Sequence, residues 1–195
     1  MGYGFMVWAV DTNKLRQVAG SKDEKLRRMI GGRFKRDLAS LDELFEDSIA
    51  SGGPNTYEAL RQIIDGTVPE GARGGIYSYA FKLLVEHFGK ALDNSAVYPW
   101  SSPDFGPVNA ALKKLDVPFD VEDLYGVSLP VKLPLPDDFP LTGWVDEAAV
   151  KRIAAAFEGA TDTGGDAQTV DIVKCVRGWF RDAAAQGRGL VSYYH

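Results

Sequence analysis

Two segments of this chain have the make-up of β-strands, and they lie at its opposite ends. Tyr3 to Val10 is built of aromatic and β-branched types. Its two faces, Tyr3, Phe5, Val7, Ala9 and Gly4, Met6, Trp8, Val10, are both largely apolar, so the strand is expected to be covered on both sides. Leu190 to Tyr194 has the same character. A lone strand cannot satisfy its own backbone donors and acceptors, so the two ends are expected to pair in one small sheet, with the last helix across it. Helical spacing fills most of the chain between them, without the strand–helix alternation of a doubly wound fold. The fold class read from this pattern is α+β, mainly helical, with a small sheet formed from the N- and C-terminal strands. At 195 residues the chain is read as a single globular domain, 1–195.

The helices announce themselves by apolar period and end signals. Asp11 is read as the cap of a short helix through Leu15 and Val18 that Gly20 stops. Ser21-Lys22-Asp23-Glu24 fits a capping box, and Leu26, Ile30, Phe34 and Leu38 follow as one apolar stripe interrupted by Gly31-Gly32. The glycine pair marks either a close helix crossing or a break. Ser40-Leu41-Asp42-Glu43 repeats the box and predicts a further short helix through Phe45. Asn55 or Thr56 caps a helix ending at Gly66. The strongest period runs from Ile76 to Leu92, carried by Tyr77, Ala80, Phe81, Leu84 and Phe88, and is expected to be the central core helix. Further helices are predicted from Val108 to Leu115, near Val121 to Tyr125, after Asp146, and from Ala167 to Gln186. Leu129 to Pro140 holds four prolines and reads as an extended surface segment.

The two ends together resemble the YfbM-like family of bacterial domains of unknown function. Those domains open with Met-Gly and an aromatic-rich strand leading into a short helix, as MGYGFMVWAVDTNKL does from Met1 to Leu15. They close with a helix of the form aromatic-x-x-Ala-Ala and a terminal strand, similar to the stretch from Trp179 to Tyr194, where Phe180 precedes Ala183-Ala184. The resemblance implies a compact α+β fold in a bacterial protein. It implies no activity, because the family has no settled catalytic residues to carry over.

The chemistry on offer is sparse. Two histidines and one cysteine, without any C-x-x-C, H-E-x-x-H or calcium-loop spacing, give no expectation of a metal or other cofactor. There is no nucleophile elbow and no phosphate-binding glycine loop, so no catalytic residue is assigned and the reading leans away from an enzyme. Cys175 falls between Ile172 and Trp179 on the apolar side of the last helix and is read as a packing residue. His87, at the edge of the core helix's apolar stripe, is read the same way. No apolar run is long enough to span a bilayer, and Asp11 ends the N-terminal apolar stretch too early for a secretory signal, so the protein is expected to be cytoplasmic.

Charge supplies the one pointed feature. Residues 1–40 hold nine Lys or Arg against four acids, a net of +5, while the rest holds thirteen against twenty-three, a net of −10. Seven of those cations lie between Lys22 and Arg36. On a helical wheel Lys22, Lys25, Arg28, Lys35 and Arg36 gather opposite or beside the Leu26–Ile30–Phe34 stripe. Such a patch suits an anion or an acidic protein; the alternative is a solvated face balanced by Asp42, Glu43, Glu46 and Asp47 downstream. An overall charge of −5 and the lack of any aromatic-interleaved basic motif argue against nucleic acid. Tyr98 and Trp100, in a proline-containing loop, are candidate interface anchors. Arg28, Arg33, Arg36, Tyr98 and Trp100 are thus the candidate binding residues. The functional expectation is a non-catalytic protein-binding module, akin to an immunity or antitoxin protein, with an acidic protein surface as partner. The alternative is a small enzyme or metabolite-binding domain whose site draws on Arg33, Arg36, Tyr77, Tyr79 and His87.

Overall fold

The structure, a computed structural model, describes residues 4–97, 105–159 and 165–195. Two compact units interleave along the chain. One comprises Met1–Thr12, Gly89–Leu129 and Leu141–His195, the other Asn13–Phe88 and Pro130–Pro140.

The first unit carries the sheet. Strands β1 (Phe5–Val10), β2 (Lys90–Ala91), β3 (Leu141–Val145) and β4 (Gly189–Tyr194) are all antiparallel in the order β2-β1-β4-β3. The N- and C-terminal strands are the central pair, with Phe5 opposite Tyr194 and Val10 opposite Gly189. Every residue of β4 and all but one of β1 are buried, as two apolar faces require. The fold is α+β, as the two ends of the sequence dictate.

One face of this sheet is a cluster of rings. Phe5 meets Tyr194 at 5.0 Å between centroids, Phe105 at 5.4 Å, Tyr125 at 5.9 Å and Trp179 at 6.4 Å. Trp179 belongs to the last helix, so that helix does pack on the sheet. Its indole N–H donates to the Asp93 carbonyl at 2.5 Å, so this buried donor is satisfied. On the other face Trp8 stands edge-on to Tyr193 at 5.9 Å.

The six helices α1 (Thr12–Val18), α2 (Glu24–Arg33), α3 (Lys35–Leu44), α4 (Glu46–Ala50), α5 (Thr56–Asp65) and α6 (Gly74–Phe88) build the second unit from Asn13 onward. Helix α6 is its buried axis, with Ile76, Tyr77, Ala80, Phe81, Leu83, Leu84 and Val85 all enclosed. The Pro130–Pro140 strap lies against the first turn of this helix. A Cβ added to Gly74 would come within 2.1 Å of the Leu135 carbonyl, so only glycine permits the approach. Helices α7 (Gly106–Lys114), α8 (Glu147–Glu158) and α9 (Ala167–Ala185), with a 3-10 turn at Val121–Leu124, return the chain to the first unit.

Several expectations are corrected here. Helix α6 ends at Phe88, not Leu92; Leu92 has left the helix and donates its N–H to the Val7 carbonyl at 2.9 Å. Ser21 is not a helix cap. Asp23 is, accepting from the Leu26 N–H at 2.9 Å, while the Ser21 hydroxyl accepts from the Asp23 N–H. Ser40–Glu43 starts no helix either, because it lies inside α3. Its aspartate does serve as a cap, but for another helix: Asp42 accepts from the Thr56 N–H at 2.7 Å, at the start of α5. Strands β2 and β3 were not anticipated. The remaining ends agree within a residue or two, with Asn55, Asp146 and Asp166 accepting from Glu58, Ala149 and Thr169 as N-caps.

Candidate functional site

The basic segment folds as two helices, α2 and α3, broken at Phe34. Asp23 caps α2, and Leu26, Ile30, Phe34 and Leu38 turn inward to less than a tenth exposed. Phe34 (φ −105°, ψ 28°) separates α2 from α3, and Phe45 (φ −106°, ψ 19°) separates α3 from α4. The i to i−4 bonds close on each joint residue and start again from it: Phe34 N–H to the Ile30 carbonyl, Leu38 N–H to Phe34, Phe45 N–H to Leu41 and Ile49 N–H to Phe45. Leu26, Ile30, Phe34 and Leu38 all face inward across the first joint, and the side away from them is the outer side of the segment. Lys25, Met29, Gly32, Arg36, Ser40, Glu43 and Asp47 are all exposed along it.

The glycine pair in α2 divides its work. A Cβ on Gly31 would lie 2.5 Å from the Tyr57 ring, so Gly31 is the close crossing with α5. Gly32 meets nothing within 4 Å and faces outward. Lys22 does not belong to the helical face. It precedes the cap with φ 59°, and its N–H donates to the Ile64 carbonyl at 2.9 Å.

The cations divide into two groups. Arg27, only 19% exposed, is part of a charge ladder. Its guanidinium lies 3.6 Å from Asp65 and 3.7 Å from Glu24. Asp65 also meets Arg61 at 3.7 Å, and Arg61 holds Glu58. That pairing keeps the Glu58 carboxyl below its ordinary range. Glu58 accepts from Gln62, which in turn accepts from the Tyr77 hydroxyl. This ladder ties α2 to α5 and α6 and is structural. The outer cations differ. Arg28 pairs with Glu24 at 2.5 Å, but both are more than half exposed, and such a pair contributes little. Among the described residues Lys25, Lys35 and Arg36 form no ion pair. Among the described residues none of Asp42, Glu43, Glu46 and Asp47 forms an ion pair with them, and Asp42 is engaged in capping α5.

Arg33 leaves the outer face at its edge. Its Nη1 is 3.3 Å from Nδ1 of His87, and its guanidinium carbon is 4.9 Å from the Phe34 ring centre. Burial first and the Arg33 charge second hold the His87 ring below its ordinary 6.5, so it is a neutral acceptor for this arginine. Of the alternative site's members, the structure thus joins Arg33 and His87. Tyr77 stands ten residues before His87 on α6, about 15 Å along the axis. Its hydroxyl serves the ladder, and Tyr79 packs on Phe45 at 5.8 Å. The five residues form no single site. Tyr98 and Trp100 lie outside the described residues.

Cys175 is half-buried. Its thiol donates to the Asp93 carbonyl at 3.3 Å, beside the Trp179 indole, at the edge of a cleft of about 520 Å³. Burial pushes it up to about 11, so at neutral pH it is the thiol and not the nucleophilic thiolate. Alkylation by iodoacetamide is expected to be very slow at pH 8, where about one thiol in a thousand is ionised. It should then rise close to tenfold per pH unit until near pH 11. A labelling rate that levels off near pH 8 would show an activated cysteine instead.

No group of three or more His, Cys, Asp or Glu among the described residues is placed to hold a metal ion. No helix among them is long and apolar enough to cross a membrane. Met29 is the member of the outer face that charge counting missed. It is 50% exposed and one turn from Lys25 on α2, and its signal was its helical phase with that cation.

Fold and surface together define an α+β domain that presents a basic helix face with an exposed methionine. The chain belongs, over residues 1–195, to the family described as Domain of unknown function (DUF7691). No curated protein and no solved structure matches it.

Proposed function

We propose that the chain is a non-catalytic, protein-binding module, a cytoplasmic bacterial domain of YfbM-like type that acts as one unit over residues 1–195. It engages an acidic protein surface in the manner of an immunity or antitoxin protein. One observation carries the reading. Lys25 on α2 and Lys35 and Arg36 on α3, without ion partners among the described residues, are exposed in the same short segment as a half-exposed Met29, while Leu26, Ile30, Phe34 and Leu38 are committed to packing. Unpaired cations set orientation and speed of association, and a half-exposed thioether supplies adaptable apolar contact. A net charge of −5 over the whole chain disfavours long polyanions, which supports a protein as the partner over a nucleic acid.

Reversing Arg28 and Arg36 to glutamate tests this. Both side chains are exposed, so the variant is expected to keep the parent's unfolding midpoint. Capture from the source cell should recover an acidic protein with the parent chain and lose at least nine-tenths of it with the variant, with recovery from the parent falling as salt rises. Equal recovery by both chains would reduce the face to a solvated surface. Nucleic acid in place of protein would overturn the partner class.

A further inference from the structure

Away from the basic face, the second unit holds a cleft of about 570 Å³ between two glycine-bearing loops. One wall is the end of α4, with Ser51, Gly52 and Gly53. The other is the turn from Pro69 to Ala72, where the Ala72 N–H donates to the Pro69 carbonyl at 3.3 Å and Gly71 takes φ 73°. A Cβ on Gly52 or Gly71 would meet nothing within 4 Å, so the space beside both loops is open. The volume falls within the roughly 300–1,000 Å³ of small-molecule sites.

The floor of the cleft is polar and held in one orientation. Arg61 donates to both oxygens of the Glu58 carboxylate, its Nε at 2.7 Å. Gln62 Nε2 donates to the same carboxylate at 3.1 Å, and the Tyr77 hydroxyl donates to Gln62 Oε1. Burial first and the Glu58 charge second raise the Tyr77 phenol above its ordinary range, so it stays a donor at neutral pH. These bonds fix which end of the Gln62 amide is nitrogen. They use one of its two protons and one lone pair of its oxygen, so one donor and one acceptor remain on an amide that lines the cleft. At the mouth Glu70 and Arg73 are exposed, and among the described residues neither forms an ion pair.

One free acid, one free cation and a neutral amide floor complement a small zwitterion with an uncharged hydrogen-bonding side chain. We infer that this cleft binds a carboxamide α-amino acid, with its carboxylate on Arg73, its ammonium on Glu70 and its amide on the remaining donor and acceptor of Gln62. Two amides pair because each offers a donor beside an acceptor. An apolar side chain of the same shape would leave Gln62 unpaired beneath it, and a site built on hydrogen bonds rejects such an analogue strongly. The cleft shares no residue with the outer basic face, so this inference and the reading of that face stand or fall separately.

Isothermal titration calorimetry on the full chain tests the inference with L-asparagine and L-glutamine, against L-leucine, which matches asparagine in shape without the amide, and against glucose. At least one of the two amides is expected to bind, with leucine at least tenfold weaker and no heat from glucose. Glu70→Ala and Arg73→Ala alter exposed side chains, so each should keep the parent's unfolding midpoint while weakening the amide at least tenfold. Gln62→Leu should abolish the preference over leucine. A parent that binds neither amide overturns the inference, as does leucine bound equally well. An affinity that Glu70→Ala and Arg73→Ala leave unchanged overturns it too, and glucose bound in place of the amides overturns the ligand class.

Discussion

Trp179→Ala is expected to lower the stability of the chain by about 4 kcal/mol, within the range for emptying a large aromatic site in a core. Trp179 is 2% exposed on α9, and its ring stands edge-on to Phe5, the residue on which the ring cluster over the sheet converges. Alanine leaves a cavity there and removes the indole N–H from the Asp93 carbonyl, which keeps only the weak Cys175 thiol donor. Trp179→Phe separates the two contributions. It keeps most of the ring but not the hydrogen bond, and should cost about 1 to 2 kcal/mol. Urea unfolding followed by circular dichroism measures both, as a fall in midpoint at unchanged slope. A cost below 1 kcal/mol for the alanine variant would mean that the cluster is not the anchor between α9 and the sheet.

Gly143→Ala should be comparably damaging for the opposite reason. The added Cβ would lie 2.2 Å from the Asp123 carbonyl oxygen and 2.4 Å from the Leu124 backbone, where β3 passes under the 3-10 turn. Neither obstacle is a movable side-chain end. The turn is also held in place, because the Ser192 hydroxyl donates to the Leu124 carbonyl at 2.6 Å within the buried sheet. Relieving the clash therefore breaks a buried hydrogen bond or displaces β3, at about 3 kcal/mol or more. Gly178→Ala is the matching control. Its Cβ would meet nothing within 4 Å, and it sits inside α9, so it should be neutral or stabilise by up to about 1 kcal/mol. If thermal denaturation shows the two variants to be alike, the close passage of β3 beneath the turn is wrong.

What the sequence could disclose follows from how local each signal is. The terminal strands were legible because their residue types are extreme. Helices α5, α6, α8 and α9 were legible because apolar period and end signals agree in each. Strand β2 is two residues long, Lys90–Ala91, too short to carry any period, and exists only because it runs beside β1. Strand β3 reads Leu-Thr-Gly-Trp-Val directly after a proline-rich stretch, and its glycine, a weak strand former, is required by a turn that meets it only in space. Asp42 shows the same limit in side-chain chemistry. Its spacing from Ser40 suggested a local box, whereas its carboxylate reaches a backbone N–H fourteen residues on.

The candidate site divides along the same line. The exposure of Arg28 and Arg36 follows from their phase against the apolar stripe, which the sequence displays. The diversion of Arg27 into a ladder with Asp65, and of Arg33 onto His87, depends on α5 and α6 lying alongside, which it does not display. Charge counting alone therefore overstated the patch and passed over Met29, the one uncharged side chain of size at its centre.

The methyl group of Met29 reports on that face directly. Protein labelled with carbon-13 at its methionine methyls carries three probes, Met1, Met6 and Met29, and Met6 lies on β1, in the sheet. On adding the captured acidic partner, the Met29 signal should shift and broaden while Met6 stays in place. Raising the salt to about 0.5 M should reverse the change. A Met29 signal that stays fixed while the complex demonstrably forms would contradict the assignment of the α2–α3 outer face as the binding surface.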